Sequence, residues 1–230
     1  MACILNIETA TELCSVAIGQ DGQLLHQVLE TEAYAHTRVL TLLIDQCLQE
    51  AGLQMQDLEA IAVSSGPGSY TALRVGVAAA KGICYAMDLP LIAVPTLQSM
   101  AAALLPPDTS VDQVFVPMID ARRMEVYTAV YDAKLKLVQE AEAVILNREF
   151  FKAPLFGDKQ IYIGGNGSTK AQALFEGDNR LNWMEIRCEA THLLALSEAR
   201  YQQGQVEDIA YYEPFYLKSP NITTPKKKLL

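Results

Sequence analysis

The strongest constraint on this chain is that its opening pattern returns past the middle. ILNIETATELCSVAIGQDGQLLHQVLE, running from Ile4 to Glu30, alternates apolar and polar residues. It reads as three short strands with turns at Thr9 to Glu12 and Gln20 to Gly22. VFVPMIDARRMEVYTAVYDAKLKLVQE, from Val114 to Glu140, repeats strand, turn, strand, turn, strand. Each copy closes its first strand with an acid, Glu8 in one and Asp120 in the other. Further on, AIAVSSGPGSYTALRV is answered by QIYIGGNGSTKAQALF: strand, Gly-x-Gly, Ser, helix, with Gly66 and Gly68 matched by Gly165 and Gly167. Two copies of a meander followed by helix and strand units imply an α/β protein of two similar lobes facing each other across a cleft. At 230 residues the chain is about one and a half domains of roughly 150. Pro106-Pro107-Asp108 cannot continue a helix, so the expected lobes are 1–105 and 106–230.

Between the meander and that boundary the helical signals are clear. Leu40, Leu43, Ile44, Cys47 and Leu48 recur at helical spacing in a helix expected from Ala33 to Glu50, which Gly52 ends. AIAVSS is apolar throughout and reads as a strand buried on both faces. Ser69 is expected to cap a helix reaching Met87, with Leu73, Val77, Ala80, Cys84 and Met87 along one stripe. LIAVP leads as a further strand into a helix from Leu97 to Leu104.

With 50% hydrophobic residues the chain can bury a core without staples. The five cysteines are scattered, odd in number and never in a CxxC pair, which argues against a disulfide framework or a zinc site and for small core hydrophobes. No apolar run of about 18 residues is present, so no membrane association is expected. The start lacks a basic segment, and a cytoplasmic protein is expected. Eighteen basic against 27 acidic residues give a net charge of −9, which opposes unaided binding of a phosphate backbone.

Catalytic signatures are missing. SSGPGSYTALR has neither the GK[ST] of a P-loop nor GxGxxG spacing, and Ser69 is not in a GxSxG elbow. Position 40, one turn after His36, is leucine, so a two-histidine metal helix is lacking. No catalytic residue and no metal ligand is therefore assigned. The duplicated lobe with an acid at its first hairpin resembles the actin, Hsp70 and sugar-kinase layout, which is ribonuclease H-like. In that layout two hairpin turns grip phosphate and magnesium, and a glycine-rich turn holds adenosine. The matching positions here, a degenerate nucleotide site, are Glu8, Thr9, Asp120, Arg122, Gly165 and Gly167. ETAT and DARR lack the glycine that lets amides approach a phosphate. The alternative is that Glu8 and Asp120 are solvated turn acids; Arg122 and Arg123 either pair an anionic ligand or partner carboxylates or lie merely exposed.

ILNIETATELCSVAI, SSGPGSYTALRVGVAAAKGICYAMDLPLIAVPTLQSMA, MIDARRMEVY and YYEPFYLKSP together resemble the bacterial TsaB (YeaZ) family over essentially the whole chain. Departures are Glu8, where that family usually has aspartate, and Tyr70, Thr71 and Ala72, where it usually has phenylalanine-glycine. The resemblance implies a non-catalytic scaffold subunit of the complex that makes threonylcarbamoyladenosine next to the anticodon of tRNA. It implies a heterodimer with a TsaD-like catalytic subunit, a TsaE-like ATPase as third component, and a homodimer when isolated. Contact with tRNA would come only through the complex, with no tightly bound cofactor and ATP or ADP possible at the partner interface. The two long helices of the first lobe would form that interface, with His36, Leu40, Leu43, Cys47, Tyr70, Ala72, Leu73, Gly76, Val77 and Ala80 as candidate contacts. In the row Ala72, Gly76, Ala80, a bulky residue at Gly76 is expected to block the partner and leave the lobe folded. A stand-alone actin-like kinase and a metallopeptidase-related hydrolase are the alternatives. The PKKKLL end reads as a solvated terminus.

Overall fold

Strands β1 (Cys3–Glu8), β2 (Cys14–Gln20) and β3 (Gln23–Glu30) form an antiparallel meander, to which β4 (Ala60–Ser64) and β5 (Leu91–Val94) add in parallel. The first sheet therefore has the order β3-β2-β1-β4-β5. β6 (Gln113–Asp120), β7 (Glu125–Asp132), β8 (Leu137–Ile145), β9 (Gln160–Gly164) and β10 (Leu181–Met184) repeat it strand for strand, in the order β8-β7-β6-β9-β10. The sequence echo is thus a true duplication of two lobes. This computed structural model describes residues 2–32, 35–175 and 177–218. Ala33, where the first helix was expected to start, and the PKKKLL end lie outside the described residues.

Burial explains the strand sequences. β1 and β4 are buried at every position and are mostly apolar, Asn6, Glu8 and Ser64 being the exceptions, whereas the edge strand β3 leaves Leu24 and Leu25 exposed. Helix α1 (His36–Ala51) lays Leu40, Leu43, Ile44, Cys47 and Leu48 on β2 and β3, and α2 (Tyr70–Met87) packs against β4 and α1. Gly52 ends α1 with φ of 70° and an amide that returns to Gln49 O. Ser69 holds the N-cap position of α2 without a side-chain cap bond; its amide instead donates to Ala10 O at 2.7 Å. All five cysteines are buried and unpaired, and burial pushes the Cys84 thiol up to about 11. Among the described residues no helix is long and apolar enough to cross a membrane.

The lobes exchange helices. α3 (Thr96–Ala103) comes before the proline boundary yet packs on β6 and β7; the short α4 (Ser168–Gln172) stays on β6; α5 (Leu194–Gln202) comes after the boundary yet packs on β1 and β5. From there the chain runs along the first lobe: Glu207 bridges to Leu91, and Phe215 N–H donates to Ser65 O at 2.7 Å. The residues of the expected second lobe, 106–230, are therefore shared between the two sheets. Residues 113–184 build the second sheet, and the described residues from 190 onward mainly cover the first. The reason is apolar demand: Ala2, Ile4, Ala60, Ala62, Ile92 and Val94 on the back of the first sheet have Leu193 as their buried cover.

The structure places the candidate interface residues largely inside the single chain. All except Tyr70 are already buried within the single chain: His36, Leu40, Leu43 and Cys47 on α1, and Ala72, Leu73, Gly76, Val77 and Ala80 on α2. The small row faces inward, and a Cβ on Gly76 would overlap Thr9 Oγ1. Gly76→Ala should therefore destabilise the isolated chain by about 1–3 kcal/mol in urea melts. Thr9→Ala in the same chain should recover part of that loss; a Gly76→Ala melt that coincides with wild type would show that the helix slides away at no cost.

Candidate functional site in the interlobe cleft

Each lobe presses its strand-to-helix turn against its own first hairpin, and glycine makes that approach possible. A Cβ on Gly68 would lie 2.8 Å from Ala10 Cβ in the β1–β2 turn. A Cβ on Gly167 would lie 2.8 Å from the Ile119 carbonyl carbon and 3.0 Å from Asp120 N. Gly165 sits at φ 106° beside the backbone of Met118. The matched glycines therefore serve backbone packing in both lobes.

The two hairpin acids have opposite surroundings. Glu8 is fully buried; its Oε1 accepts from Ala10 N–H at 2.6 Å, and Oε2 has no partner. Burial pushes this carboxyl above its ordinary value, more strongly than Ala10, Ser64, Cys188 and Thr9 together favour the charged form. The neighbouring Thr9 Oγ1 is also buried without a partner. Neither side chain is a solvated turn residue, and neither lines the cleft. Asp120 is about half exposed and accepts from Lys170 Nζ at 2.6 Å and from Arg122 N–H at 2.6 Å. Lys170 also donates to Arg123 O at 2.9 Å and Glu125 O at 2.5 Å, so its ammonium fills a ring of three oxygens inside the second hairpin. Asp120 N–H donates to Asn166 Oδ1 at 2.9 Å, and Asn166 Nδ2 donates to Glu12 Oε2 at 2.7 Å, which ties the two hairpins together.

The cleft beside this bridge has a volume of about 430 Å³. Thr11 and Glu12 line it from the first lobe and Gly165, Asn166, Ser168, Thr169 and Gln172 from the second, with Trp183 to Cys188 along a further wall. The structure thus gathers Asp120, Arg122, Gly165 and Gly167 at the second hairpin and leaves Glu8 and Thr9 behind the first. Lys170, Glu12 and Asn166 were missed. The available signal was a lysine one helical step past the second Gly-x-Gly, where an acid needs a counter-charge. A magnesium nucleotide of the actin type does not fit these residues, because one acid is sealed and the other is held by an ammonium. Among the described residues no three His, Cys, Asp or Glu side chains are grouped to hold a metal ion.

Duplicated sheets around such a cleft define an actin-like two-lobed protein. The family model described as "TsaD: tRNA N6-adenosine threonylcarbamoyltransferase" matches residues 26–181. The TsaB protein of Escherichia coli K12, a tRNA threonylcarbamoyladenosine biosynthesis protein, is 35% identical over 233 residues, covering 94% of each chain. The Haemophilus influenzae TsaB is 29% identical over 226 residues, 94% of this chain and 93% of that protein. Among solved structures, YeaZ from Pseudomonas aeruginosa superposes with a TM-score of 0.76 at 25% identity, covering 94% of this chain and all of that one. The chain belongs to the TsaB family, within the wider family that the TsaD model describes.

The buried carboxyl has a pH signature. A Glu8 pKa raised above its ordinary 4.5 means that the folded state holds a proton which the unfolded state has released. Stability is then lost as pH rises from about 4.5 through the folded value. Glu8→Gln, measured by thermal melts from pH 4 to pH 8, should flatten that slope and melt above wild type at the alkaline end. A variant that parallels wild type across the range would show Glu8 to be charged in the fold.

Proposed function

We propose that this chain is the non-catalytic subunit of a complex that places a threonylcarbamoyl group on the adenosine next to the anticodon of tRNA. Its catalytic partner would be TsaD-like, with a TsaE-like ATPase as third component and tRNA held mainly by those partners. The observation that carries this reading is the state of the two hairpin acids: Glu8 sealed without access to the cleft, and Asp120 neutralised by Lys170. Neither hairpin acid is then free to hold a metal–phosphate complex. Nucleotide, in this reading, is held jointly with the partner, and the kinase and hydrolase alternatives are disfavoured by the same geometry.

The partner face would be the outer side of α1 and α2. There Leu42 is 65% exposed and Tyr85 85% exposed, and Gly82 has open space around its Cα. Thr71, Ala78, Gly82, Tyr85 and Ala86 share exposed positions on α2 with a single charge, Arg74, near the helix start. The largely uncharged outer face of α2 and the exposed Leu42 of α1 suit association with the catalytic partner or with a second copy when isolated.

Co-expression with a TsaD-like subunit should yield a stable complex, and threonine incorporation into tRNA should require both chains. Gly82→Arg should leave the melting temperature intact and abolish both association and incorporation. Unchanged association would place the interface elsewhere. Titration calorimetry of the isolated chain should show no micromolar Mg-ATP complex; a tight one with turnover would revive the kinase reading.

A further inference from the structure

We propose that the β6–β7 hairpin is a contact point for the phosphodiester backbone of tRNA, which deepens the reading above and rests on it. Arg122 and Arg123 form the tip of this hairpin, both exposed, with φ of 71° and 53°. Two consecutive side-chain-bearing residues in the left-handed region persist only where their surroundings hold them there. Lys170 does so from beneath, with its bonds to Asp120, Arg123 O and Glu125 O. Asp120 adds an acceptor for Arg122 N–H.

The same contacts leave the arginines uncompensated. Both carboxylates flanking the tip of the hairpin are engaged by lysines, Asp120 by Lys170 and Glu125 by Lys218. Arg148 is exposed two residues beyond Leu146, whose N–H donates to Met124 O in the same hairpin at 2.9 Å. None of Arg122, Arg123 and Arg148 forms an ion pair among the described residues. The chain as a whole carries −9, so a polyanion is repelled by the rest of the surface and attracted at this end. Three separately mounted guanidinium groups suit a ligand with repeated charges along a chain better than a single carboxylate, and each can grip a phosphate through two N–H donors.

The test uses the chain assembled with its TsaD-like and TsaE-like partners and an unmodified tRNA transcript, with binding followed by fluorescence anisotropy across a potassium chloride series. Glutamine removes charge without relaxing the backbone, so the variants are Arg122→Gln with Arg123→Gln, and Arg148→Gln alone. Weaker tRNA binding is expected for both, with the slope of log K against log salt shallower by about 1 for each arginine that touches a phosphate. Melting temperature and affinity for the TsaD-like subunit should stay at wild-type values. An unchanged tRNA affinity and salt slope would overturn the proposal. So would lost affinity for the protein partner with an unchanged slope, which would assign the hairpin to an acidic protein surface. If the hairpin variant does not fold, Arg148→Gln decides alone. A wild-type assembly that neither binds nor modifies tRNA would instead fail the functional reading, and this proposal with it; a working assembly with an unaltered slope in the variants fails only the proposal.

Discussion

The structure depends on one close contact made twice: a Gly-x-Gly turn lying directly on the backbone of the neighbouring hairpin. In the first lobe Gly68 meets Ala10, and in the second Gly167 meets Ile119 and Asp120. Such an approach brings the start of the following helix down onto the hairpin. In the first lobe this drives α2 onto Thr9, which makes Gly76 necessary and turns Ala72 and Ala80 inward. It also seals Glu8, whose Oε1 is then served by Ala10 N–H and whose Oε2 is left without a partner. A carboxyl in that position is costly to ionise, since burial disfavours the charged form.

The second lobe makes the same contact with a different outcome. Its hairpin acid remains at the surface because Lys170 enters beneath the turn and satisfies three oxygens at once. A protonated amine with three acceptors is well placed to hold a turn whose two central residues are non-glycine and left-handed. One fold unit has therefore lost its charge to the core, and the other has neutralised its charge from within the chain.

Much of this was legible beforehand, and the boundary between the legible and the hidden is physical. Strand, turn and helix periodicities are local, so the two meanders, their acids at Glu8 and Asp120, and the matched glycine turns could be read directly. The start of α2 was placed to within one residue, since the glycine–proline break and the apolar stripe agree on it. Facing is a tertiary property that such periodicity does not encode. The row Ala72, Gly76, Ala80 allows close approach by anything, and nothing in its spacing says whether a partner helix or Thr9 of the same chain arrives. The helix exchange was hidden for a like reason: α5 is a short, weakly amphipathic segment, and its destination is set by the uncovered back of the first sheet. Lys170 was missed because a lone lysine on a short helix looks like solvated charge until the hairpin folds around it.

The exchange of helices also bears on what the cleft can do. In a two-lobed protein, relative domain motion is the default unless the interface is large and apolar. Here α3 belongs by sequence to the first half and by packing to the second, and α5 does the reverse. The described end of the chain then runs from Leu91 past Ser65 to Glu125, touching both sheets, with Tyr216 packed on Tyr70 at 4.8 Å between ring centroids. Opening the lobes would require pulling α3 away from Ala10 and Leu73 of the first lobe and breaking the Glu12–Asn166 bridge across the mouth. Such restraints oppose the opening and closing that a nucleotide-cycling cleft relies on. They suit a body that holds its outer helices in one fixed position, because a rigid face loses little conformational freedom when a partner settles on it.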